Sequence, residues 1–157
     1  MKKMTKYIKG FTLVELLVVI GIITIVAAIV FVTLEPAKRF GDARNARRWS
    51  ESVSILNAII KYQVDNNSAF PGSIYPEWGK PYTIGTGSGA VSCSSPATTT
   101  QATYIDLATS TVNYLAQIPT DPSGGTAANT GYYLVRTAVI RVAACSPENS
   151  ASIFVAR

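Results

Sequence analysis

Phe11-Thr12-Leu13-Val14-Glu15-Leu16-Leu17-Val18-Val19-Ile20 holds a single acid in a run with no other charge. The apolar stretch continues from Leu13 to Leu34, 22 residues broken only by Glu15, Thr24 and Thr33, with Gly21 the one weak helix former. As a helix it spans a hydrocarbon core of about 30 Å. A cleaved secretory signal would be shorter and would end in small residues, so the run reads as a retained span. Its many β-branched residues are poor helix formers in water, but in lipid a lone span has no alternative to helix. A carboxylate near one end of such a segment costs a few kcal/mol if it reaches the bilayer centre, and it needs a positive partner that the segment lacks. Just upstream, a basic stretch (Lys2, Lys3, Lys6, Lys9) ends in Gly10. A cut between Gly10 and Phe11 would create the missing cation, a new α-amino group on Phe11, free to pair with Glu15 of the same chain or of a neighbour.

The string Lys9-Gly10-Phe11-Thr12-Leu13-Val14-Glu15-Leu16-Leu17-Val18 resembles the class III leader of type IV pilins and pseudopilins, in which a basic leader ends in Gly, Phe follows, and Glu is the fifth mature residue. The resemblance covers roughly residues 1–35. It implies a prepilin peptidase that cuts after Gly10 and methylates the Phe11 amine, an inner-membrane assembly platform, and a helical filament of identical subunits into which Glu15 guides each newcomer. The function it implies is that of a pilin, a structural subunit of a type IV pilus-like filament. Within the family the alternative is a pseudopilin of a type II secretion or competence system. From a different class, the competitor is an anchored exported binding domain that never polymerises. The implied location is the bacterial inner membrane for the single-pass precursor, surrounded by lipid, and an extracellular or periplasmic filament afterwards.

Charge adds little to this. Lysine and arginine number 14 against 9 acids, but four of them lie in residues 1–10, so the chain without its leader has 10 against 9. A nucleic-acid partner, expected only of a DNA-uptake pilus, therefore has no support in net charge. What remains is a local cluster, Lys38, Arg39, Arg44, Arg47 and Arg48, tempered by Asp42 and Glu51. It reads as a solvated helix face or a source of inter-subunit salt bridges. Four cations precede the span and five follow it closely, so orientation comes from the resemblance and not from the positive-inside count.

The two cysteines, Cys93 and Cys145, lie in an exported body and most simply form one disulfide, which on chain-entropy grounds stabilises the fold by roughly 4 kcal/mol. With no histidine in the chain, a catalytic triad cannot be built and a zinc site is not expected. Asp106 and Asp121 could in principle hold calcium, but the dense oxygen-ligand pattern of a calcium loop is missing. The Gly85–Gly89 run lacks the ending of a phosphate loop. No enzyme activity, cofactor or metal is expected, and the chain is itself a peptidase substrate.

The expected fold is α+β. Pro36 lacks the donor that would bond Val32, which predicts a kink or loosening between them. Beyond it Trp49, Val53, Leu56, Ile60 and Val64 recur at helical spacing, with Arg47, Arg48, Glu51, Ser54, Asn57 and Lys61 on other faces. Asn66-Asn67 and Pro71-Gly72 end the pattern. Residues 12 to about 65 thus predict one long, gently bent helix, its front half apolar all round and its rear half amphipathic. Residues 67–100 read as loop with at most one short strand. Gly131–Arg136, Ala138–Ala144 and Ser152–Val155 read as antiparallel strands of a three- or four-stranded sheet, covered by the Trp49–Val64 stripe. The expected segments are a leader at 1–10, a transmembrane and assembly helix at 11–35, an amphipathic helix at 36–66 and a globular head at 67–157.

Overall fold

The computed structural model describes residues 10–72 and 74–157; the leader lysines lie outside the described residues. The chain forms two compact units, one ending at Arg39 and one covering Phe40–Arg157.

In the first unit, helix α1 (Leu13–Leu34) begins after the N-cap Thr12 and buries none of its residues. It is long and apolar enough to cross a membrane. It ends at Glu35, whose backbone is left-handed (φ 42°, ψ 62°). Pro36 then opens helix α2 (Pro36–Asp65). The residue before a proline is disfavoured in the helical region, while proline itself suits a first helical position. The N–H groups of Lys38 and Arg39 return to the Glu35 carbonyl at 3.0 and 3.3 Å. The loosening expected ahead of Pro36 is therefore a one-residue interruption of a helical stretch running from Leu13 to Asp65.

In the second unit the strands are β1 (Pro81–Thr83), β2 (Ser92–Ser94), β3 (Ala97–Thr99), β4 (Tyr132–Arg136), β5 (Ile140–Ala144) and β6 (Phe154–Ala156), with a one-turn helix α3 (Ala108–Thr111) before β4. Four of them form an antiparallel sheet in the order β1-β4-β5-β6, and β2 and β3 form a separate hairpin. The fold is α+β, as the sequence predicts. Tyr82, Leu134, Val142 and Val155 stand opposite one another across the sheet. Because strand side chains alternate between faces, Tyr132, Leu134, Val142 and Ala144 join Ile55, Leu56 and Ile59 of α2 in one core. Tyr133 and Ala143 point the other way and pack with Cys93 and Cys145, which are joined by a disulfide.

Two expectations need correction. The segment 67–100 holds three short strands where at most one was expected. Pro81 conceals the first, yet β1 lies at the sheet edge and begins with that proline, where a missing N–H is tolerated. In the hairpin, β2 and β3 flank the Ser95–Pro96 turn. The apolar stripe is also misplaced. Leu56 is buried and Ile60 packs against the core, but Trp49 and Val64 are 51% and 76% exposed. The face that α2 buries is Gly41, Asn45, Arg48, Ser52, Ile55, Leu56 and Ile59, together with Ala58. Its front half is polar, so periodicity of apolar residues cannot find it.

Candidate functional site

The residues singled out for processing and assembly sit at the start of α1. Gly10 and Phe11 are non-helical and exposed, Phe11 by 76%. A Cβ added at Gly10 would meet nothing within 4 Å among the described residues. No contact among the described residues demands glycine at this position.

Glu15 is better satisfied than a lone acid in an apolar run suggests. Its Oε2 accepts hydrogen bonds from the Thr12 backbone N–H and from the Thr12 hydroxyl, both at 2.9 Å. The Glu15 N–H in turn donates to Thr12 Oγ1 at 3.2 Å. This is a reciprocal capping box, which satisfies two of the backbone donors that a helix start leaves open. The geometry folds the carboxylate back toward the first turn, one residue from the nitrogen of Phe11. The Thr-x-x-Glu spacing of Thr12 and Glu15 is itself the signature of such a box, and it is the signal by which sequence reasoning could have found Thr12.

The basic cluster is a solvated face only in part: Lys38, Arg39 and Arg47 are exposed, Arg44 is half-buried, and Arg48 departs from the reading altogether. Arg48 is wholly buried. Its Nε donates to Asp121 Oδ2 at 2.6 Å and its NH2 to Asp121 Oδ1 at 2.9 Å, a two-pronged pairing that suits a planar guanidinium. It also reaches Ser123 Oγ at 2.7 Å, Asn45 Oδ1 at 2.8 Å and Glu148 at 3.2 Å. Arg44 grips Glu148, with Nε to Oε1 at 2.6 Å. Asn45 closes a ring with the Glu148 backbone, donating to its carbonyl at 2.8 Å and accepting from its N–H at 3.0 Å. Arg47 pairs with Glu51 at 2.7 Å and Lys38 with Glu35 at 3.9 Å, while Arg39 donates to the Leu34 carbonyl at 2.9 Å. Glu51 also accepts from the Tyr132 hydroxyl.

These pairs tie two loops of the head to one helix. Hydrogen bonds from Arg44 foremost, helped by Ser123 and Arg48, hold the Glu148 carboxyl down at about 2. Burial first, and the bond to Glu51 second, push the Tyr132 hydroxyl well above its ordinary value. Gly41 lets α2 approach the Glu148–Asn149 turn, since a Cβ there would fall 2.8 Å from Asn149 Nδ2 and 2.9 Å from Glu148 Oε2.

The same network disposes of calcium at Asp121. Both of its carboxylate oxygens accept from Arg48. Asp106 instead caps the turn at Ala108, 2.9 Å from that N–H. Among the described residues no group of three or more acids or cysteines is placed to hold a metal.

Comparison with known proteins identifies one segment. Residues 5–31 match the family described as the prokaryotic N-terminal methylation motif, the class III prepilin leader of type IV pilins and pseudopilins. No curated protein and no solved structure matches the chain. The motif supports a type IV pilin-like or pseudopilin-like protein, a structural subunit whose near-N-terminal apolar helix fits a single-pass inner-membrane precursor.

Proposed function

We propose that the chain is the structural subunit of a type IV pilus-like filament, cut between Gly10 and Phe11 and polymerised through α1. The observation that carries this reading is the combination of the methylation motif at residues 5–31 with a 22-residue apolar helix none of whose residues is buried among the described residues. The exposed, non-helical Gly10–Phe11 bond supports it too. That no contact among the described residues demands glycine there supports reading the glycine as a requirement of the peptidase.

Before assembly α1 rests in lipid, with the Thr12–Glu15 box keeping the carboxylate hydrogen-bonded at the membrane face. Entry into a filament exchanges lipid contacts for helix contacts, so apolar burial alone gives little net drive, and packing with polar pairing must supply direction. The Phe11 amine released by cleavage meets the Glu15 carboxylate of its own chain or of a neighbour within the assembled helices. Leaving one member of such a buried pair alone typically costs about 3–5 kcal/mol.

The test is Glu15→Ala followed by electron microscopy of sheared surface material. Filament yield is expected to fall at least about tenfold, with subunits accumulating in the membrane and the head still folded. Normal yield would defeat the proposal. Long fibres containing the wild-type chain support a pilin proper, short or envelope-confined ones a pseudopilin, and none at all a non-polymerising anchored domain.

A further inference from the structure

Trp49 and Val53 belong to the apolar stripe that spacing marks on α2, yet neither joins the core of the head: Trp49 is 51% exposed and Val53 half-buried. Both line a groove of about 320 Å³, with Leu56 and Asn57 beside them on the helix and with β6 and Arg157 as the other wall. β6 ends the sheet order β1-β4-β5-β6, and its ladder to β5 fixes which backbone groups it uses. Ile140 and Arg157 exchange both backbone hydrogen bonds, at 2.9 and 3.1 Å, and the Ala144 N–H donates to the Ile153 carbonyl at 3.0 Å. With Val142 opposite Val155, residues 153, 155 and 157 turn their peptide groups toward β5. Because the pattern alternates along an antiparallel strand, Phe154 and Ala156 turn theirs outward, where they make no hydrogen bond among the described residues.

The opposite edge of the sheet is closed. There the Gln101 N–H donates to the Pro81 carbonyl at 2.8 Å and the Ile105 N–H to the Thr83 carbonyl at 2.9 Å, so residues 101–105 cover β1. The β6 edge has no such cover, and it carries an unmatched charge. Phe154 stands opposite Ala143, on the sheet face turned away from α2. The Arg141 guanidinium leans over its ring, 4.8 Å from the centre, and makes no ion pair among the described residues. No Asp or Glu lines the groove.

From this arrangement we infer that the β6 edge takes a further strand, an extended segment of a different polypeptide that alternates apolar residues with polar ones and carries an acid. Its backbone pairs with Phe154 and Ala156, its apolar side chains enter the groove against Trp49 and Val53, and its acid, on the other face, meets Arg141. Main-chain bonds at an open edge supply the affinity, and alternate side chains in a flanking groove supply the selection. A lipid chain satisfies neither the outward N–H nor the outward carbonyl groups. A second copy offering its own β6 brings no acid to Arg141, only another arginine, and like charges across a joined edge are destabilising. The site lies wholly in the head and is independent of leader processing and of Glu15.

The experiment uses the full chain in detergent micelles and a fluorescein-labelled synthetic peptide of about eight residues, valine alternating with threonine and one central threonine replaced by glutamate. Anisotropy is expected to give a Kd below about 100 μM, and amide hydrogen exchange at Phe154 and Ala156 is expected to slow about tenfold at saturation. Ala156→Pro removes an outward N–H that β5 does not use, a position where an edge strand tolerates proline. It should weaken binding about tenfold and leave the melting temperature of the head unchanged. Trp49→Ala, at a largely exposed side chain, is the second variant and should weaken binding about fivefold with filament yield unchanged. Arg141→Gln should abolish the preference for the glutamate peptide over its glutamine counterpart. No binding tighter than about 1 mM, binding without protection of Phe154 and Ala156, or wild-type affinity in both Ala156→Pro and Trp49→Ala would overturn the inference. So would loss of filaments in Trp49→Ala, which would mark the groove as a contact between copies of this chain.

Discussion

Helix α1 exposes every one of its large apolar side chains, while the neighbouring helix α2 buries an arginine completely. Hydropathy alone ranks these two regions in the wrong order of burial. The difference is one of partners. Among the described residues nothing buries the apolar surface of α1, and under the proposed function lipid or other copies cover it. In α2 the loops around Asp121 and Glu148 supply oxygens that match Asn45, Arg44 and Arg48 atom for atom. A polar face is buried without loss only when each donor and acceptor finds its match, and here it does, save for the hydroxyl of Ser52.

The largest effect that would break this contrast comes from Arg48. Arg48→Ala strands the buried Asp121 carboxylate and is expected to destabilise the head by about 3–5 kcal/mol, read by denaturant unfolding. A loss below about 1 kcal/mol would show the network to be ornamental.

Next comes acid. The Glu148 carboxyl is held at about 2, below its ordinary 4.5, so its contribution is fully present above 4.5 and drains away as pH falls toward 2. The melting temperature should therefore drop over that window in the wild type, and drop less in Glu148→Gln. Parallel curves for the two proteins would remove Glu148 from the account.

The smallest effect sharpens the comparison within α2 itself. Val64→Ala should cost less than about 0.5 kcal/mol because Val64 lies in solvent, whereas Ile59→Ala should cost about 2–5 kcal/mol. A reversed order would restore the stripe that apolar spacing suggests.

Much of the molecule is legible in its residues. The Leu13–Leu34 span, the interruption ahead of Pro36, and the strands around Tyr132–Arg136 and Ile140–Ala144 follow from length, a missing donor and β-branched runs. So does the α+β class. The face of α2 was not legible, because its decisive members, Gly41, Asn45, Arg48 and Ser52, are small or polar and become interior only through partners some 70 to 100 residues away. β1 was hidden by Pro81, whose missing N–H reads as a strand breaker until the strand is known to lie at an edge. At the candidate site Gly10, Phe11 and Glu15 announce themselves by pattern. Thr12 does so only once its hydroxyl is recognised as the partner of Glu15.

The most direct test of the central claim, that this helix start is built to be cut and then to pair, is the intact mass of the subunit recovered from its membrane or filament. The account predicts a polypeptide beginning at Phe11 and carrying one added methyl group on its amine. A working subunit that still begins at Met1 would contradict it.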